Sequence, residues 1–564
     1  MVQPTEHRKP QTRRWLLSAA IAVLLLVVAP ATSDARKPPK GPSAAISTGD
    51  AVPRQTIYLP ARNAGADLVR FLEQATWGPT DADLAHLQAI GIVGWLNEQF
   101  QMPVSSYPLL PLQLESVPAA CGTNCFRDNY TMYPLQNRFF VNAMYGPDQL
   151  RQRVAFALHQ LLVTSGNFVI LPSWMAPYLQ TLDRNAFGNY RQLLYEITLN
   201  PAMGYYLNMS TSTKVSPNEN YAREIMQLFS IGVNLLNPDG TLQLDAGGNP
   251  IPTYNQAVVT ELARVFTGWS IAKAAPGTPD FVNPMLFTPA DHDTGSKTIV
   301  GGIVIPAGQT GDQDLNQAID AIFSHPNVGP YLATHLIHNL VTSNPTPAYV
   351  QRVAAAFNDN GVGVRGDMKA VLTAVLLDPE ARGDLKTSPE YGHLKQPVLY
   401  LNNVLRAFGA KSADLSTSSD GYLNPLTSSM DQVVFEPPNV FSYYPAGFPA
   451  PRTPLLGPEY GILSATDSTK RENAVTNLVF GNIPVGANSP NGTALDFSPW
   501  LALASSPTKL VSQLNRLMMH GAMSASMRTS IVDAVSAVAG SNPLLRVQQA
   551  VYLVATSSQY QVAR

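Results

Sequence analysis

At 564 residues the chain exceeds one typical domain and can bury a large core. Only 13% of its residues are charged and its formal net charge is -2, which leaves no electrostatic case for nucleic acid or an anionic membrane surface as a partner. Its 47 prolines and 38 glycines predict many turns between short elements.

Residues 1–35 have the layout of an export signal. His7 to Arg14 is basic, Trp15 to Val28 is uncharged and apolar-rich, and Ala29, Ala31 and Ala35 are small residues suited to cleavage. The apolar run falls short of the roughly 20 residues that a transmembrane helix needs, so no stable span is expected after cleavage. Thr12, Arg13, Arg14 and Leu16 resemble a twin-arginine signal, and the mature protein is expected in the periplasm or outside the cell. Residues 36–60 read as a flexible leader, and 61–564 as a single large α-helical unit, with a subdivision placed at 410–460. In an oxidising compartment Cys121 and Cys125, the only cysteines, read as a short-loop disulfide.

The expected fold is mainly α: a multi-helix array with a few short β-hairpins and long Pro/Gly-rich loops. Leu68, Phe71 and Leu72 recur at helical spacing until Gly78-Pro79, and Thr80 or Asp81 caps a second helix that Gly91 ends. Arg151 to Ser165 is apolar on nearly all sides after its first turn, which marks a buried helix carrying His159. Tyr190 to Ile197, Pro201 to Asn208 and Asn255 to Phe266 follow as helices, with a turn-rich hairpin after Gly232 and a strand pair around Thr298 to Ile305. Asn327 to Val341, Tyr349 to Asn358 and Met368 to Leu377 form three helices in succession, and three more close the chain. His335 and His338, three apart, have a metal-ligand spacing without a local third ligand. Gly361, Gly363 and Gly366 match a dinucleotide fingerprint in pattern but follow a helix, so the context is wrong.

The stretch SPNENYAREIMQLFSIG, Ser216 to Gly232, has the densest cluster of chemically capable side chains. Ser216 reads as an N-cap with Glu219 completing a capping box, and Gly232 as the C-cap. Ala222, Ile225, Leu228 and Phe229 form an apolar stripe, while Asn220, Glu224 and Gln227 line a polar strip beside Arg223. Glu219 and Glu224 lie about 140° apart around the helix, too far to act as a paired acid and base.

Several segments together resemble a bacterial family known as domain of unknown function 1800. They are FLEQATWGPTDADL, RQRVAFALHQLLVTS, NAFGNYRQLLYEITLNPAMGYYL, PNENYAREIMQLFSIGVNLLN, ELARVFTGW, HDTGSK, HPNVGPYLATHLIHNLVTSNP through FNDNGVGVRGDMKAVL to LLDPEAR, NVFSYYP and GPEYGI. The resemblance runs from about Asp67 to the C-terminus and implies an exported, largely helical protein without an established activity. Family motifs fall on Glu219, Asn220, Tyr221, Ala222, Arg223 and Glu224, on Thr267, Gly268 and Trp269, and on His292, Asp293 and Lys297. Where many members have WHNHF, this chain has Leu158, His159, Gln160, Leu161 and Leu162, so the second histidine is replaced by Leu161.

Two functions are expected. One is an exported hydrolase acting on a polysaccharide or another polymer, with Glu224 as acid or base, Arg223 and Lys297 supplying positive charge, and His159 or His292 assisting. Asn220, Tyr221, Trp269 and Asp293 would then contact the substrate, and Glu224, Arg223 and His292 must share one pocket. The other is a non-enzymatic envelope protein that binds or scaffolds an exported partner, the same charges forming a structural salt-bridge network. A metal cofactor is a third, less favoured variant.

Overall fold

A computed structural model describes residues 65–274, 277–382, 388 and 390–564, so the expected signal and leader lie outside the described residues. The fold is mainly α, with 54% of the chain helical. Three two-stranded antiparallel sheets punctuate it among the described residues: Trp269–Ser270 with Leu286–Phe287, Lys297–Thr298 with Val304–Ile305, and His393–Leu394 with Val562–Ala563. No described helix is long and apolar enough to cross a membrane.

Local chemistry sets most element ends. Thr80 caps the helix Asp81–Gln99 by accepting from the Asp83 N–H, and Gly91, at φ 73°, kinks that helix rather than ending it. Asn255 caps Gln256–Val265, and Thr310 forms a reciprocal capping box with Gln313 at the start of Gly311–Ser324. The buried helix runs Gln149–Leu161, a few residues earlier than its apolar pattern suggests, and every residue in it is buried. Helices also form over Tyr133–Tyr145, Pro172–Asn185, Pro397–Ala407 and Ala465–Phe480, where the sequence carries weaker punctuation. Cys121 and Cys125 are disulfide-bonded. The turn-rich segment after Gly232 pairs only through isolated bridges, Asn234 with Pro252, Leu236 with Leu242, and Leu244 with Pro250.

One apolar core runs from Val69 to Tyr560, and each fully buried Leu, Ile or Phe in it contributes about 1.5–3 kcal/mol against exposure. Leu423, Met430, Val434 and Phe435, within the low-helix region 410–460, belong to that same core. The first described helix, Gly65–Ala75, packs on Pro507–Met519, and Arg70 donates to the Arg564 carbonyl at 2.5 Å. Nearer the middle, Val328–Leu340 packs on both Gln149–Leu161 and Pro347–Asn358, and Glu219–Gln227 packs on Gln256–Val265. These contacts bring segments far apart in sequence together around Val328–Leu340.

Candidate functional site

The central helix spans Glu219–Gln227, and its N-cap is Asn218, whose side chain accepts from the Asn220 N–H. Ser216 is therefore not the cap: its backbone pairs with Thr213 in a tight turn. Glu219 does not close a capping box either. Its carboxylate accepts from Gln256 at 2.8 Å and Thr260 at 2.8 Å on the neighbouring helix and pairs with Arg223 at 3.2 Å. Gly232, at φ 70°, returns its N–H to the Met226 carbonyl at 3.0 Å, closing the turn that follows the helix. Asn220 is exposed, and Tyr221 is buried with its hydroxyl 2.6 Å from that of Thr198, an interior contact.

Glu224 is the one unusual carboxyl of this helix. Burial, opposed by Arg223, pushes it up to about 7, and its Oε2 is shut away without a partner. Its charge acts on Tyr206, Tyr254 and Tyr331.

The TGW and HDTGSK motifs close on each other instead of on Glu224. His292 Nδ1 lies 2.9 Å from the Thr267 carbonyl, and its Nε2 lies 3.2 Å from Asp314 Oδ2. Lys297 Nζ donates to that same Asp314 oxygen at 2.6 Å and to the carbonyls of Asp293 at 2.5 Å and Gly295 at 2.9 Å. Arg264 grips Asp293 with two hydrogen bonds, at 2.8 and 3.0 Å, and pairs with Glu261 at 2.6 Å. Gly268, at φ 87°, lets the backbone approach closely: a Cβ there would meet the Thr288 carbonyl at 3.0 Å and His292 Cβ at 3.1 Å. Trp269 is buried against Phe287, with ring centroids 5.2 Å apart, and offers no stacking face to solvent. His292, Lys297 and Asp314 form a buried polar clamp that ties loop to helix. Among the described residues no hydrogen bond or ion pair joins this clamp to Glu224: Arg223 pairs with Glu219, and His292 with Asp314.

His159 lies in the core between Phe156, Tyr178 and Phe435. Burial lowers it to about 4, and neither ring nitrogen has a hydrogen-bond partner of good geometry.

A cleft of about 250 Å³ opens next to the central helix. Five separate segments wall it: Gln160 and Leu161 end the buried helix; Leu228 follows the central helix; Tyr331, His335, His338 and Asn339 come from Val328–Leu340; the loop 440–447 and the pair Pro458 and Glu459 complete it. Leu228 is one turn beyond Glu224, and the Tyr331 hydroxyl donates to the Leu228 carbonyl at 3.0 Å, so Glu224 stands just behind this wall. His335 Nε2 lies 2.9 Å from the Ala157 carbonyl, which can only accept, so that nitrogen carries the proton. Gln160 fixes Asn339 at 3.0 Å. His338 has no such tie, and burial, reinforced by His335 and His393, lowers it to about 4. Glu459 faces His393 Nδ1 at 3.3 Å through one oxygen, while its other oxygen is buried without a partner. Ser442, on the same wall, has a left-handed backbone at φ 68° and a buried hydroxyl without a partner, the sort of strain that functional sites retain. Among the described residues, no group of three or more His, Cys, Asp or Glu is arranged to hold a metal ion.

A family profile described as "Protein of unknown function (DUF1800)" matches residues 70–562. The chain belongs to the DUF1800 family. No curated protein and no solved structure matches it. In this DUF1800 chain, five of the segments that carry the family resemblance meet at the cleft: RQRVAFALHQLLVTS, PNENYAREIMQLFSIGVNLLN, HPNVGPYLATHLIHNLVTSNP, NVFSYYP and GPEYGI. Leu161 is itself a wall residue. The spacing of His335 and His338 was the one local signal of this site; Ser442, Tyr444 and Glu459 carry none.

Proposed function

We propose that this cleft is the active site of an exported hydrolase acting on a polysaccharide or another polymer by acid–base chemistry. The reading is carried by the uncommitted state of the cleft groups: His338 faces the cavity as a neutral imidazole and Glu459 keeps one carboxylate oxygen unpaired. In this reading, His338 accepts the proton of an attacking water, with Glu459 and His393 as the adjoining carboxylate–imidazole pair. Glu224, poised at about 7 behind the cleft wall, supplies or takes up a proton near neutral pH. Phe441, half exposed at the rim, gives an extended substrate an apolar face to rest on. In this reading Arg223, His292 and Lys297 are engaged elsewhere, His159 is enclosed among core aromatics, and none of the four takes part.

The scaffold reading gains support at one place only. The His292–Asp314–Lys297 clamp is a buried ion network of the kind that reading expects.

The test is hydrolysis of a panel of nitrophenyl glycosides, nitrophenyl esters and soluble polysaccharides by the purified chain. Glu459→Gln and His338→Asn should each lower turnover on the order of 10²–10⁴-fold, the usual contribution of a positioned acid or base, with thermal unfolding little changed. Failure to cleave any substrate class, or full turnover in both variants, would remove the reading.

A further inference from the structure

A second cavity, of about 330 Å³, shares no wall residue with the cleft. Its volume lies at the lower end of the roughly 300–1,000 Å³ of small-molecule sites. Four segments supply its buried end: Glu73 from Gly65–Ala75, Lys395 just after the strand His393–Leu394, His520 at the end of Pro507–Met519, and Tyr560 from Ser558–Gln561. All four side chains are more than nine-tenths buried. Glu73 Oε1 meets Lys395 Nζ at 2.5 Å, and Glu73 Oε2 lies 3.3 Å from His520 Nδ1. The Lys395 ammonium sits 3.8 Å from the centre of the Tyr560 ring. Neither ring nitrogen of His520 has a hydrogen-bond partner of good geometry, and the Tyr560 hydroxyl has none. A buried polar group left unpaired is a cost that a ligand can remove. At the mouth, Ser524 and Gln559 fix each other through two hydrogen bonds, at 3.0 and 2.9 Å.

The chemistry of the missing partner follows from what is already paired. Glu73 and Lys395 are in direct contact, Arg70 pairs with Asp67 at 3.5 Å, and Arg564 lies at the rim, exposed to water. The buried end therefore offers neither an unpaired cation nor an unpaired anion, which disfavours a charged ligand there. What it offers is acceptors. Against the opposing effect of burial, Lys395 and His520 hold the Glu73 carboxyl down to about 2. Glu73 is thus acceptor-only, with about four lone-pair sites. Two of these are taken, by Lys395 and His520. Burial lowers His520 and keeps it neutral; with its Nδ1 towards an acceptor-only carboxylate, its Nε2 is left as a lone pair. The Tyr560 hydroxyl can donate or accept. Met518, Met519 and Val562 make the rest of the wall apolar and, at the methionines, adaptable. An uncharged molecule with neighbouring hydroxyls on a carbon ring or chain matches both halves of this wall.

We infer that this cavity is a second ligand site, independent of the cleft, that binds one neutral sugar or polyol unit, whose hydroxyls donate to Glu73 and His520 Nε2 and bond to the Tyr560 hydroxyl.

Calorimetric titration of the full chain with D-glucose, D-mannose and glycerol in turn tests it, with D-glucuronate and D-glucosamine as charged counterparts. Saturable binding of at least one neutral probe, tighter than that of either charged one, is expected. Tyr560→Phe, which removes a single oxygen, should weaken that binding about threefold or more, as expected for losing one neutral hydrogen bond. His520→Asn, which keeps a residue tolerant of the left-handed backbone at φ 41°, should weaken it about tenfold or more, since the imidazole acceptor is lost and Glu73 with it loses a neighbour. Should His520→Asn fail to fold, Tyr560→Phe still decides. Glu459→Gln in the cleft locates the binding: weakening there, with none in Tyr560→Phe, overturns the inference, as does the absence of saturable binding or a preference for a charged counterpart. Because binding is read without turnover, sugar binding without hydrolysis removes only the cleft reading, whereas hydrolysis without binding at this cavity removes only this one.

Discussion

The clamp around Asp314 and the cleft around Tyr444 are both rich in buried charge, yet they treat it in opposite ways. In the clamp Lys297 finds three oxygens and shares Asp314 with His292, so cation and anion answer each other. Around the cleft, Arg153 and Arg471 have no carboxylate oxygen within 4.0 Å among the described residues, and Glu459 keeps an idle oxygen. The contrast lies in direct cation–anion pairing, not in complete satisfaction, since Asp314 Oδ1 in the clamp is also buried without a hydrogen-bond partner. The two regions therefore differ in how directly their buried charges are paired within one chain.

The sharpest way to break that contrast is to delete one cation from each. Lys297→Met leaves Asp314 largely uncompensated in the core and should cost about 3–5 kcal/mol in urea unfolding. Glu224→Gln tests the carboxyl behind the cleft wall. In the folded chain Glu224 is held at about 7 against an ordinary 4.5, so its stabilising contribution is complete below about 4.5 and is lost as pH rises through about 7. The glutamine variant should match the wild type at pH 4 and exceed it by about 2 kcal/mol at pH 8, after allowance for partial exposure; a pH-independent difference would refute the shift. Arg471→Met removes a buried cation that forms no ion pair among the described residues, so the protein should be unchanged or up to about 2 kcal/mol more stable by the same unfolding assay, the reverse of Lys297→Met. Smallest is the central-helix cap: Asn218→Ala should cost about 1 kcal/mol while Ser216→Ala stays within about 0.5 kcal/mol.

The helical frame was legible because it depends on neighbours in sequence. Val328–Leu340, Pro347–Asn358 and Met368–Leu377 lie within two residues of their expected ends, and the strand pair at Lys297–Thr298 and Val304–Ile305 is where it was expected. The cap was misplaced because Ser216 and Asn218 are both good capping residues, two apart, and only the turn at Thr213 decides between them. The site was harder for a different reason. HDTGSK has the side chains of a catalytic motif, but His292 and Lys297 turn to Asp314, and Asp293 to Arg264, pairings outside the motif that no spacing rule shows. The cleft is the converse, since Leu161, Leu228, His338, Tyr444 and Glu459 come from five stretches whose meeting is a property of tertiary packing alone.

His393, which holds Glu459, sits in a two-residue strand that pairs with Val562–Ala563. During synthesis that partner leaves the ribosome long after the rest of the cleft has been made, so the carboxylate's orientation is among the last features to be acquired. Under the proposed hydrolase reading, loss of the Val562–Ala563 pairing would disturb the Glu459 carboxylate from a distance.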